Sequence, residues 1–167
     1  ASWIVGISAL ANFVGRMGFG RVCDRLGEAK TVLIILVVTI LSLFVMRNAF
    51  TIPMFIVCLI FIGAAFGGVL VCFPPFTQKV FGMENSGVNY GIMFLGYASG
   101  SYFGPQIAAK TKMLGPDGAV MATSYANAYS IAIAVGVAGI VVCFLLMYVK
   151  DRYAKQGRDS DKRSAGR

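Results

Sequence analysis

Apolar residues fall in five long runs, at about 2–22, 31–46, 52–73, 90–109 and 126–149, with polar breaks between them. A helix crossing the ~30 Å hydrocarbon core of a bilayer needs roughly 20 mostly apolar residues. The runs match that length, the second only by borrowing residues from its flanks. Strands of a membrane barrel would alternate apolar and polar positions over about ten residues, whereas a helix satisfies its own backbone polar groups in lipid. The pattern predicts an all-α membrane protein, a bundle of five transmembrane helices over residues 1–149. The remaining residues 150–167, KDRYAKQGRDSDKRSAGR, are almost free of apolar side chains and are expected to form a disordered tail.

Composition agrees with a bilayer as solvent, since 57% of the 167 residues are hydrophobic and 13% charged. The opening run has no basic stretch before it and no small-residue cleavage site after it, so it does not read as a signal peptide. A chain that starts with Ala1 inside a hydrophobic segment is expected to lack helices that precede it. Cys23, Cys58, Cys72 and Cys143 lie in or beside apolar runs without metal-type spacing, and histidine is absent. They read as small buried hydrophobes, with no metal or cofactor expected.

Threading the runs in order puts Arg21, Arg25, Lys30, Lys79 and the seven basic residues of the tail on one side, against Arg47, Lys110 and Lys112 on the other. The richer side is expected to be cytoplasmic, in a multi-pass protein of the plasma (cytoplasmic) membrane. The net charge of +8 is concentrated after the last run, where anionic lipid headgroups attract it. Membrane lipids, and not nucleic acid, are the expected partner.

The second run, VLIILVVTILSLFVM, has no glycine and little polarity, which suits a peripheral helix surrounded by lipid. The fifth is similar in its second half, with Gly136 and Gly139 offering a closer contact earlier. Gly63, Gly67 and Gly68 in the third run, and Gly96, Gly100 and Gly104 in the fourth, predict close helix packing. In the fourth run Tyr90, Tyr97 and Ser101 share a face at about 100° per residue. That face either borders a hydrated cavity or makes hydrogen bonds between helices.

Ser8, Asn12 and Arg16 recur every four residues in the first run, a polar stripe ending in a full charge. Charge inside a span is costly and tends to mark a solute pathway; the competing reading is an arginine that snorkels or pairs with Asp24. The acidic residues Asp24, Glu28, Glu84, Asp117, Asp151, Asp159 and Asp161 all lie outside the middle of the runs. Neither an intramembrane carboxylate for a proton relay nor the groupings of a membrane enzyme is present. The chain is therefore read as a non-enzyme.

After the first run the sequence GRVCDRLGEAK sets Gly20, Asp24, Arg25 and Gly27 in a G-x-x-x-D-R-x-G pattern, in which Gly27 suits a tight turn. This resembles the gating loop of the major facilitator superfamily. With FPPF, VFGMENSGVNYG and GSYFGP further on, nearly the whole chain resembles the oxalate/formate antiporter (monocarboxylate transporter-like) family. The resemblance implies the eighth to twelfth helices of a twelve-helix major facilitator fold, the carboxyl-terminal half of a transporter whose missing N-terminal helices are its partner. By position it places Arg16 where the family has a substrate-binding arginine, and Tyr97 where a lysine stands.

The implied function is transport of a small organic anion, a mono- or dicarboxylate, by alternating access. One arginine without the lysine fits a monocarboxylate better. Arg16, Asn12, Tyr97, Tyr90 and Ser101 are the candidate substrate-binding residues, and Gly20, Asp24, Arg25 and Gly27 the candidate latch on the cytoplasmic side. Transport of a different solute, a channel, or a non-transporting membrane scaffold are the alternatives.

Overall fold

The computed structural model describes residues 2–48, 51–110 and 125–165. It contains five α-helices among them: α1 (Ser2–Leu26), α2 (Glu28–Arg47), α3 (Ile52–Phe81), α4 (Ser86–Lys110) and α5 (Ala126–Ala165). Each covers one of the apolar runs. Helices α2 and α3 and the Ala126–Val149 part of α5 are long and apolar enough to cross a membrane on composition alone. The more polar α1 and α4 carry every candidate substrate-binding residue.

Helix α3 is the centre of the bundle. It packs most extensively on α1, next on α2 and least on α4, while α2 packs in turn on α5. Small residues make the α1–α3 contact close: a Cβ on Gly15 would overlap the Ala64 backbone, and one on Gly67 would overlap the Asn12 carbonyl. A Cβ on Gly63 would stand 3.1 Å from the Ser8 carbonyl oxygen. The packing expected of the third run's glycines is thus realised, against α1. Further along, Cys23, Ile35, Ala65 and Cys72 form a buried cluster covered by Phe19, Val32 and Val69. All four cysteines are free and buried, as their apolar surroundings implied.

Helix α2 keeps the exposed face expected of a peripheral helix, with Val37, Leu41 and Phe44 open. One stripe of it, Thr31, Ile35, Ser42 and Met46, is buried, and the helix lies between α3 and α5. Its hydroxyls bond inside their own helix, Thr31 Oγ1 to the Gly27 carbonyl (2.9 Å) and Ser42 Oγ to that of Val38 (2.8 Å). They therefore cost little to bury. On the α5 side a Cβ on Gly136 would meet Ile40 at 2.9 Å, which is the contact the fifth run's glycines suggested.

Two elements run further than their apolar runs. Helix α3 continues through Pro74 and Pro75 to Phe81, a length of about 45 Å. The two prolines supply no N–H to the carbonyls of the preceding turn, a loss that membrane helices tolerate where neighbours compensate. Helix α5 continues as backbone helix to Ala165, over the segment expected to be disordered. A helix already nucleated in the span needs only one new hydrogen bond per added residue, and Lys, Arg, Gln and Ala are good helix formers.

The α1–α3 contact generates a test. In the full-length protein, Gly67→Ala should lower stability by about 1–3 kcal/mol because the backbones must separate. Gly100→Ala, whose Cβ meets nothing within 4 Å, should leave stability unchanged or slightly raised. Thermal unfolding of the two purified variants makes the comparison.

Candidate functional site

The α1–α3 approach places the polar stripe of α1. The glycine notch at Gly67 receives the backbone of Asn12 and Arg16, so their side chains emerge beside the contact instead of inside it. There Arg16 Nε donates to Asn12 Oδ1 at 3.1 Å. A spacing of four puts the two side chains one above the other on the helix surface. The alternative pairing with Asp24 does not form: the ion pair among the described residues joins Lys79 Nζ to Glu28 Oε1 at 2.6 Å.

Arg16 and Asn12 border an open groove of about 590 Å³, lined also by Ile4, Val5, Ser8, Leu59 and Phe66. Apart from Ser8 the rest of the wall is apolar. A guanidinium has five N–H donors in a planar fork. One is held by Asn12, which orients the plane and leaves the outer amino groups to meet an anion in two parallel bonds.

Helix α4 reaches this groove through aromatic rings. The Tyr97 ring lies 6.0 Å from that of Phe66, Phe94 lies 5.0 Å from Tyr97, and Tyr90 lies 5.3 Å from Phe94. Such separations are those of favourable aromatic pairs. Of the residues expected to bind substrate, Arg16 and Asn12 are thus in contact, Tyr97 adjoins the groove across Phe66, and Tyr90 is two rings further away. Ser101 is exposed on α4 and is not part of the groove wall.

The α4 glycines are a second departure. Gly96, Gly100 and Gly104 have no atom within 4 Å of a Cβ built on them, so among the described residues they are not a packing face. Helix α4 meets α3 by its large residues instead: besides the Tyr97–Phe66 contact, Met93 Sδ lies 2.7 Å from Thr77 Oγ1.

In the loop motif, Gly27 alone links α1 to α2, with φ at 85°. That left-handed conformation is cheap only for glycine. Its N–H donates to the Cys23 carbonyl at 2.9 Å, and its own carbonyl accepts from the Thr31 N–H at 3.2 Å. A Cβ on Gly20 would lie 3.5 Å from Val71, an ordinary contact. Asp24 and Arg25 are exposed on the last turn of α1.

Two residues of this region escape a reading of the sequence. Phe66 was one aromatic in an apolar run, although its place between Ala65 and Gly67 marks it as the large side chain of a notched face. Lys79 entered only as a basic residue of the cytoplasmic side. Its partner Glu28 sits in the first turn of α2, where a carboxylate is favoured by the helix dipole.

The groove predicts a pattern of chemical access in the full-length protein with its native cysteines replaced. Ser8→Cys, Asn12→Cys and Arg16→Cys should react with a water-soluble thiol reagent. Ile35→Cys, at a position 1% exposed, should not. Equal labelling rates at all four positions would show that no such groove exists.

The Major Facilitator Superfamily model matches residues 1–167. Among curated proteins, the "Uncharacterized MFS-type transporter YhjX" of Escherichia coli (strain K12) is 32% identical over 101 residues. The match covers 58% of this chain and 24% of that relative, so the chain corresponds to well under half of the relative's length. No solved structure matches.

Proposed function

The chain belongs to the major facilitator superfamily, and on that premise we propose that it forms the carboxyl-terminal part of a secondary transporter for a small organic anion. The observation that carries this reading is the Arg16 guanidinium, oriented by Asn12 at the edge of an open, mostly apolar groove. A fixed cation with free parallel donors recognises a carboxylate. Apolar walls then suit a short carbon chain and strengthen the charge contact by excluding water.

A single arginine, with Tyr97 near the groove in place of a second cation, favours a monocarboxylate over a dicarboxylate. The tyrosine hydroxyl can donate to an anion but adds no positive charge at neutral pH. The likeness of FPPF, the NYG segment and GSYFGP to the oxalate/formate antiporters supports the same class of solute. Turnover would follow from rocking of two helical halves about a midplane site.

The experiment is uptake of short-chain mono- and dicarboxylates by the full-length protein in proteoliposomes, with and without the same anion inside. Arg16→Gln should cut uptake at least about 30-fold, since losing one partner of a charged contact costs about 2 kcal/mol or more. Arg16→Lys, which keeps the charge and loses the fork, should fall between. Carriage of neutral or cationic solutes only, indifferent to Arg16→Gln, would refute the reading.

The turn at Gly27, with Gly20, Asp24 and Arg25 before it, acts in this proposal as a latch on the cytoplasmic side. Asp24→Asn should shift the balance between inward- and outward-open forms and slow exchange several-fold without changing apparent affinity. Distance distributions between spin labels on the two halves would register the shift.

A further inference from the structure

A second cavity lies where α2 begins and α3 and the apolar part of α5 end. It encloses about 390 Å³ and is walled by Ala29, Phe76, Val80, Leu146 and Met147, with Cys143 at its α5 side. This volume is within the ~300–1,000 Å³ range of small-molecule sites. Cys143 Sγ closes the α2–α5 side by donating to the Ala29 carbonyl at 3.6 Å. Among the described residues Lys79 is the charged residue in the wall, and its side chain is 61% exposed. Its ammonium therefore stands where the cavity meets solvent, above a hydrocarbon-like interior.

The three helices that form the cavity are those long and apolar enough to span the bilayer, and they meet it at their ends on a single side. The cavity thus sits at the depth where acyl chain gives way to headgroup. The charge there is positive. Glu28 pairs with Lys79, whose ammonium carries three donors, while Arg21, Arg25 and Lys30 outnumber Asp24 at the same end of the bundle. Past Val149 of the wall, the chain continues into Lys150, Asp151 and the exposed Arg152, with one net positive charge over the three. An apolar interior beneath a cationic rim is complementary to an amphipathic anion.

We propose that this cavity is a binding site for an anionic phospholipid, with one acyl chain against Phe76, Leu146 and Met147 and the phosphate on Lys79. The lipid bridges α2, α3 and α5 on the cytoplasmic side. The site is separate from the Arg16 groove and does not depend on which solute that groove takes.

Native mass spectrometry of the detergent-purified full-length protein tests it, with phosphatidylglycerol and phosphatidylcholine of identical acyl chains and with oleate as a free fatty acid. The wild type should retain phosphatidylglycerol over phosphatidylcholine by on the order of fivefold, the effect of one basic residue near a charged surface. Lys79→Gln should abolish that preference and Lys79→Arg should keep it. Leu146→Trp, which fills the cavity and leaves the Glu28–Lys79 pair in place, should reduce retention of both phospholipids and remains informative even where Lys79→Gln does not fold. Equal retention of the two phospholipids by the wild type, a preference that survives Lys79→Gln, oleate held as well as phosphatidylglycerol, or undiminished retention by Leu146→Trp would each overturn the proposal.

Discussion

The backbones of α1 and α3 approach so closely at Gly15–Ala64 and at Gly67–Asn12 that no added carbon fits between them, and the geometry of the groove follows from that contact. In a bilayer the hydrophobic effect does not draw helices together, because lipid tails are as apolar as leucine. What remains is dispersion across closely matched surfaces, and glycine and alanine maximise it. The contact also decides where polar side chains go. With the backbone of Asn12 and Arg16 pressed into the Gly67 notch, their side chains lie along the edge of the interface, where they hydrogen-bond to each other and still face an opening.

Much of the architecture is legible in the sequence because a bilayer imposes a length and a solubility rule on each segment. Every apolar run became a helix, and Gly27, flanked by Leu26 and Glu28, became the single-residue turn that its spacing suggested. Helix α2 shows where that rule stops. Continuous apolarity says that a helix can face lipid, but its packing partners are set by small differences: the Thr31, Ile35, Ser42 and Met46 stripe is hardly less apolar than the opposite face. Similarly, the extension of α3 beyond its two prolines could not be read from a local rule that treats proline as a stop.

The candidate site was legible to the extent that it is periodic. Ser8, Asn12 and Arg16 repeat every four residues on one helix, a spacing that brings Asn12 and Arg16 within hydrogen-bond reach. The contribution of α4 depends on tertiary placement. Its shared face of Tyr90, Tyr97 and Ser101 is a property of α4 by itself, whereas Phe66 on α3 decides that Tyr97 adjoins the groove and Ser101 does not. The glycine ladder of α4 carried the same spacing signal as that of α3 but meets no neighbour among the described residues. Spacing reveals a capacity for close packing, and a partner surface must exist for it to be used.

The single-residue junction at Gly27 has a mechanical consequence. Two antiparallel helices joined without slack cannot slide past each other, because the one φ/ψ pair between Leu26 and Glu28 would have to absorb the whole displacement. A piston movement of α1 along its axis is thereby restrained, because it would have to draw the start of α2 with it. Since α2 is pressed against α5 at Gly136 and Ile40, an axial pull on α1 would be passed through that joint to the far side of the bundle.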